Sequence, residues 1–181
     1  MIRLFFVLCF KVTGWKTVGH MPSLKKFVLI VAPHTSNWDF FVGIAARSIL
    51  RLKSKYLAKN SLFNIPVVGW LLSKLGGFPV DRSKNSNMVE QVAEMFSKKD
   101  RLVVTLTPEG TRSYVPKWKT GFYWIAHQAN VPIVMVGFDY RNKTVEVKEP
   151  FYPTGDIEKD LPKILKYYRS IRGKYPENGV R

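Results

Sequence analysis

Phe27-Val-Leu-Ile-Val-Ala-Pro-His-Thr-Ser-Asn-Trp-Asp-Phe40 is the stretch from which the fold can be read. Its first half, Phe27–Ala32, is an unbroken apolar run of strand length that includes Val28, Ile30 and Val31. A run without alternation predicts a strand buried on both faces, as in a sheet covered by helices. Ser36 and Asn37 are residue types that start helices, and Trp38–Leu52 carries a helical pattern after them. Strand, short loop and helix in that order form the basic unit of an α/β fold. The loop holds His34, one of three histidines, and Asp39 follows five positions later.

The pattern repeats outward from this unit. Lys55–Ala58 and Phe78–Val80 read as short strands, the second after Gly76-Gly77. Ile65–Leu75 reads as a helix with Pro66 near its start, where proline is tolerated. Asn87–Lys98 is amphipathic, with Met88, Val92, Met95 and Phe96 on one face. Leu102–Leu106 is a strand and Gly121–Ala129 a helix. Ile133–Phe138 and Thr144–Lys148 are strands joined through a turn at Arg141-Asn-Lys143, and Leu161–Arg172 is a final helix. Alternation of this kind predicts an α/β single-domain sandwich, residues 1–181, with a central, largely parallel sheet flanked by helices. No repeat, low-complexity tract or linker divides the chain. Ligands of such sheets bind beyond the carboxyl ends of the strands, which is where His34 falls.

Composition restricts the partners. Twenty-nine Lys and Arg against 13 Asp and Glu give a net charge of +16. Such a surface attracts nucleic acid, anionic lipid or phosphorylated ligands. Cys9 is the single cysteine, so an internal disulfide and a CxxC metal site are both excluded. It sits in an apolar run and reads as a small hydrophobe, in keeping with a reducing compartment.

The first ten residues, Met1-Ile-Arg-Leu-Phe-Phe-Val-Leu-Cys-Phe10, look like a short signal core without a cleavage site after it. Leu4–Phe10 as helix covers about 10 Å, against roughly 30 Å of hydrocarbon, so it does not span a bilayer. Two readings stay open for residues 1–16. One is a helix packed on the domain. The other is an interfacial anchor with Arg3, Lys11 and Lys16 at headgroup level, each worth about 1 kcal/mol near an anionic surface. The second implies a peripheral place on the cytoplasmic face of a membrane.

Five residues of helix turn through about 500°, which leaves His34 and Asp39 about 140° apart if both are helical. They meet if His34 lies in the loop and Asp39 in the first helical turn. A carboxylate on one imidazole nitrogen then fixes the tautomer and leaves the other nitrogen to take a proton. That arrangement activates a hydroxyl. Free N–H groups at the helix start suit an oxyanion or phosphate. The bland alternative is a capping Ser or Asn beside a locally packed His.

Further blocks follow. Thr107-Pro-Glu-Gly-Thr-Arg-Ser113 stands at a strand end, where Gly110 suits a positive φ. There Glu109 can accept from a sugar or glycerol hydroxyl, and Arg112 can clamp a phosphate or carboxylate. Gly76-Gly-Phe-Pro-Val-Asp-Arg82 offers a second cation, and Val131-Pro-Ile-Val-Met-Val136 is a core strand. Each block alone also has a purely structural reading, as turn, surface pair or core.

In this order and spacing the blocks resemble the glycerolipid acyltransferase family, whose archetype is lysophosphatidic acid acyltransferase. The resemblance spans about residues 14 to 150. It implies transfer of a fatty acyl group from acyl-CoA or acyl carrier protein to a hydroxyl of an anionic lysolipid. By the same resemblance His34 is the general base and Asp39 orients it. Arg82, Glu109, Gly110, Thr111 and Arg112 bind the acceptor, and an anionic membrane surface is a partner. Three departures, at Thr107, Met135 and the residues before Arg82, touch acceptor recognition more than the His–Asp pair. A lyso-aminolipid with a carboxylate head is the alternative acceptor.

The rest is exclusion and rivalry. No Gly-x-Ser-x-Gly elbow, Walker loop or Gly-x-Gly-x-x-Gly occurs. His20 and His127 lack partners at ligand spacing, so no metal and no cofactor are expected beyond the acyl donor itself. Phe40, Phe41, Phe63, Trp70 and Trp118 are candidates for an acyl groove, with plain core as the competing reading. A basic nucleic-acid-binding protein is the non-enzymatic rival. It is disfavoured because the basic residues scatter and no recognition motif of the known modules is present. Lipid binding without catalysis is the other.

Overall fold

The structure is a computed structural model and describes residues 2–80 and 85–181. Strands β1 (Lys16–Val18), β2 (Lys26–Ala32), β3 (Lys55–Lys59), β4 (Gly77–Val80), β5 (Leu102–Leu106), β6 (Ile133–Asp139) and β7 (Thr144–Val147) form one seven-stranded sheet. Their order is β1-β7-β6-β2-β5-β3-β4. The central pairs β6–β2, β2–β5, β5–β3 and β3–β4 are parallel, and β7 turns back antiparallel to β6. The sheet is therefore largely parallel, as expected. The three-residue β1, which pairs in parallel with β7, is an addition that its length hid in the sequence.

Helices α1 (Ile2–Thr13), α2 (Trp38–Ile49), α3 (Asn60–Phe63), α4 (Pro66–Lys74), α5 (Asn85–Ser97), α6 (Gly121–Gln128) and α7 (Ile157–Arg169) cover the sheet. β2 shows why its run reads as continuously apolar. Phe27, Leu29 and Val31 pack with Phe10 of α1 and with Ala45 and Ala46 of α2. Val28, Ile30 and Ala32 point the other way, among Val92, Phe122, Ile125, Ile164 and Tyr168 from α5, α6 and α7. Successive side chains feed opposite cores. The crossovers β2-α2-β3 and β3-α4-β4 advance across the sheet in one direction. Right-handed connections then place α2 and α4 on the same side. A guanidinium N–H of Arg47 in α2 donates to the carbonyl of Leu75, just past α4, and ties the two together.

The two helical layers differ in what they show to solvent. Leu4, Phe5, Leu8 and Val12 of α1 are exposed, as are Trp38 and Phe41 of α2 and Val67 and Trp70 of α4. Among the described residues, Trp124 is the one large apolar side chain exposed on α5, α6 or α7. α1 realises the packed reading of the N-terminus through buried Phe10 and an Arg3 Nε–H bond to the carbonyl of Ile49 (3.3 Å), yet keeps an apolar outer face. No helix among the described residues is long and apolar enough to cross a membrane.

The largest departures from the expected helix ends fall in α2 and α7. α2 stops at Ile49 rather than Leu52, because Arg51 adopts φ +54°, outside the helical region. α7 begins at Ile157, four residues before the expected Leu161. Asp156 caps it by accepting the Lys159 N–H at 3.2 Å, and Pro162 lies inside the helix.

Candidate active site

Parallel register brings three strand ends to one rim. Ile30 pairs with Leu106 and Ala32 with Gly137, so Pro33 and His34 leave β2 level with the turn after β5 and the end of β6. Glu109 arrives from β5, His34 and Asp39 from β2 and α2, and Tyr140 from β6. The carboxyl edge of the central strands is the usual ligand edge of such a sheet.

The loop folds His34 back on Asp39, with Nδ1 3.0 Å from Oδ2. That same oxygen accepts the N–H groups of Thr35 at 2.9 Å and Ser36 at 3.0 Å. Oδ1 accepts the Tyr140 hydroxyl at 2.6 Å. Asp39 is 3% exposed. Burial alone raises a carboxyl pKa, but the bonds from His34, Tyr140 and the Ser36 N–H outweigh it and hold Asp39 below its ordinary value. Asp39 is thus an anion that accepts from Nδ1–H, and Nε2 of His34 is left as the basic nitrogen. The His34 side chain keeps 18% exposure, enough to offer an edge to a ligand.

The helix start is committed to this pair. Thr35 and Ser36 N–H groups go to Asp39, and the Trp38 N–H goes to Ser36 Oγ at 3.1 Å. Ser36 therefore supplies a capping oxygen, whereas Asn37 makes no side-chain cap bond. This corrects the expectation that these N–H groups await an oxyanion; the acidic side chain has taken them.

Glu109 is 4% exposed, and its Oε1 accepts the backbone N–H of His34 at 3.0 Å. It bolts the Pro-Glu-Gly turn to the histidine loop. Its Oε2 is buried without a partner among the described residues. Burial pushes its pKa up to about 7, against the pull of the His34 N–H. Gly110 takes φ +67°, as the turn requires, and its N–H closes on the Thr107 carbonyl at 3.1 Å. A Cβ there would stand 3.0 Å from Lys119 Nζ, so the ammonium lies directly over the glycine. Thr111 and Arg112 stand exposed beyond the turn, and Lys117 is exposed nearby. Arg82 lies outside the described residues.

Of the groove candidates, Phe40, Phe41 and Trp70 are exposed rather than core. Phe63 is half-buried, and Trp118 packs against Phe122 and Tyr168 in the opposite layer. Two pockets formed by described residues, of about 550 and 220 Å³, lie around α5 and around His127 and not at His34. No cluster that could hold a metal ion occurs among the described residues. Tyr140 was not found from sequence. It lies 101 residues from Asp39, and only the pairing of β2 with β6 makes them neighbours.

Comparison with known proteins points one way. The family model described as Acyltransferase matches residues 10–139. A 1-acyl-sn-glycerol-3-phosphate acyltransferase of Saccharomyces cerevisiae is 31% identical over 158 residues, covering 83% of this chain and 50% of that protein. The Escherichia coli protein of the same name is 30% identical over 135 residues, covering 72% of this chain and 51% of its own. The chain thus spans about half the length of these curated relatives. The crystal structure of the 1-acyl-sn-glycerophosphate (LPA) acyltransferase PlsC from Thermotoga maritima superposes with a TM-score of 0.64 at 22% identity. That match covers 92% of this chain and 74% of the other, and it shows a shared fold.

Proposed function

The chain belongs to the acyltransferase family, and from that premise we propose that it moves a fatty acyl group from acyl-CoA or acyl carrier protein to a hydroxyl of an anionic lysolipid of the lysophosphatidic acid kind. The observation that carries the reading is the His34–Asp39 pair, with Nδ1 3.0 Å from a buried, ionised carboxylate, at the ligand edge of the sheet.

The chemistry follows from that geometry. Nε2 of His34 takes the proton of the acceptor hydroxyl as its oxygen attacks the thioester carbonyl carbon. The C–S bond breaks when the tetrahedral intermediate collapses, and the thiolate departs. Thiols titrate near 8.5, so the leaving group needs little acid assistance. Asp39 stabilises the imidazolium formed, and the step needs no nucleophilic side chain. Base catalysis of this kind is worth about 10²–10⁴-fold. For the acceptor's head, Arg112 and Lys119 stand on and over the Gly110 turn. The names of the yeast and bacterial relatives favour a glycerol phosphate there.

Exposed apolar surface lies near the pair for the acyl chains. Phe40 and Phe41 lie in the first turn of α2, on the layer whose α1 and α4 also expose apolar side chains. An anionic bilayer against that layer would supply an apolar wall, with the charge of +16 drawing the protein to it. The docking is peripheral.

Purified protein mixed with labelled acyl-CoA or acyl carrier protein and a panel of lysolipids tests the reading. The panel includes lysophosphatidic acid and a carboxylate-headed lyso-aminolipid. Acylated phospholipid should form, and H34A should lose about 10²–10⁴-fold in rate while still binding vesicles. Folded protein that acylates no member of the panel, or H34A as fast as wild type, would end it. Tight, salt-sensitive oligonucleotide binding without transfer would favour the nucleic-acid rival.

A further inference from the structure

The least explained contact at the rim is the shortest one. Asp39 receives four donors, but they are divided unevenly. Oδ2 serves His34 and two backbone N–H groups, whereas Oδ1 has the Tyr140 hydroxyl at 2.6 Å. Tyr140 lies one residue past the segment matched by the family model. Nothing about it was visible in the motifs.

We propose that Tyr140 is a positioning residue of the acyl-transfer site, holding the Asp39 carboxylate in the rotation that keeps Oδ2 on His34. The proposal rests on reading the His34–Asp39 pair as the base.

The tyrosine is itself held from three sides. Its N–H donates to the Arg172 carbonyl at 2.8 Å. Asp139, beside it, fixes the following turn by accepting the N–H groups of Arg141 at 3.0 Å and Asn142 at 3.3 Å. Its ring meets Trp15 edge-on, with centroids 5.0 Å apart. Burial and the Asp39 charge push the phenol well above its ordinary pKa, so it stays a donor throughout the working range. Without that donor, buried Oδ1 has no partner among the described residues. The carboxylate then becomes more basic, or rotates to share the donors now on Oδ2. Either change reaches His34, which among the described residues is the one titratable group bonded to Oδ2.

The titratable and charged groups around the pair come from several elements. Tyr140 faces Asp39 from the end of β6, and Glu109 faces His34 from the turn after β5. Lys174 from the C-terminal segment lies over the Trp38 ring at 4.7 Å. Y140F leaves Glu109 and Lys174 in place and removes one oxygen.

The test compares Y140F with Y123F. Tyr123 makes a similar bond to a buried aspartate, donating to Asp160 Oδ2 at 3.0 Å, but in the opposite layer. Y140F is expected to lower kcat about tenfold or more, as befits loss of a charge-assisted hydrogen bond, with KM within about twofold. The acid limb of its kcat/KM profile moves, upward where Asp39 stays on His34 and becomes more basic, downward where the carboxylate rotates off Nδ1. Y123F lowers the melting temperature and leaves kcat and the acid limb unchanged. Imidazole ¹⁵N NMR reads the His34 titration without turnover, and its midpoint shifts in Y140F only.

A His34 titration that is the same in Y140F and wild type overturns the proposal. So does a Y140F defect confined to melting temperature. If wild type transfers no acyl group yet the His34 midpoint moves in Y140F, positioning stands and the acyl-transfer reading falls.

Discussion

Replacing Glu109 by glutamine tests the electrostatics of the rim most directly. Glutamine keeps a carbonyl oxygen for the His34 N–H and removes the ionisable proton. The Glu109 carboxyl titrates at about 7 in the fold, against an ordinary value of 4.5, chiefly because it is buried. Below about pH 4.5 it is protonated whether the chain is folded or not. Between 4.5 and 7 the folded state binds more protons than the unfolded one, so stability falls as pH rises. Above 7 the fold carries the full cost of a buried charge, about 3 kcal/mol at about 1.4 kcal/mol per decade of displacement. At 4% exposure there is little solvent to screen it. Urea unfolding of wild type and E109Q from pH 4.5 to 8 measures the difference. The advantage of E109Q should grow by about 3 kcal/mol across that range, which for a chain of this size is roughly 6–12 °C in Tm. Two stability curves that run parallel with pH would refute the reasoning, since they would mean that Glu109 does not titrate there.

Other outcomes follow from the same geometry. G110A places a side chain at φ +67° and against Lys119, and should cost about 1–2 kcal/mol in urea unfolding; a neutral result would show that the turn relaxes easily. Charged residues at both Leu4 and Phe5, exposed on α1, should weaken flotation with anionic vesicles while melting temperature stays within about 2 °C. Unchanged flotation would remove α1 from the proposed docking face.

Much of this molecule was legible because its signals are local. The apolar run Phe27–Ala32 is a strand with both faces buried, and its neighbours in sequence are the loop and helix expected of it. His34 and Asp39 are five residues apart, so their meeting depends on one loop. What escaped depends on distant pairing. Tyr140 reaches Asp39 only through the β2–β6 register, and the Glu109 contact with the His34 N–H only through β2–β5. The start of α7 was missed for a different reason. The apolar pattern begins at Leu161, whereas the polar first turn Ile157–Asp160 is started by the Asp156 cap. The fate of the helix-start N–H groups was hidden too, because spacing does not say whether an acidic side chain bends back to claim them.

The one-sided distribution of exposed apolar side chains across the two helical layers bears on how the protein would meet its substrates. A molecule lying on a bilayer by that layer searches in two dimensions. Its encounter rate with an amphiphile is then set by the lipid's mole fraction in the leaflet, and diluting the vesicle with inert lipid slows turnover even at constant bulk concentration. Saturation would accordingly be expressed per unit of interface, and the same lysolipid offered as dispersed monomers would be a poorer substrate.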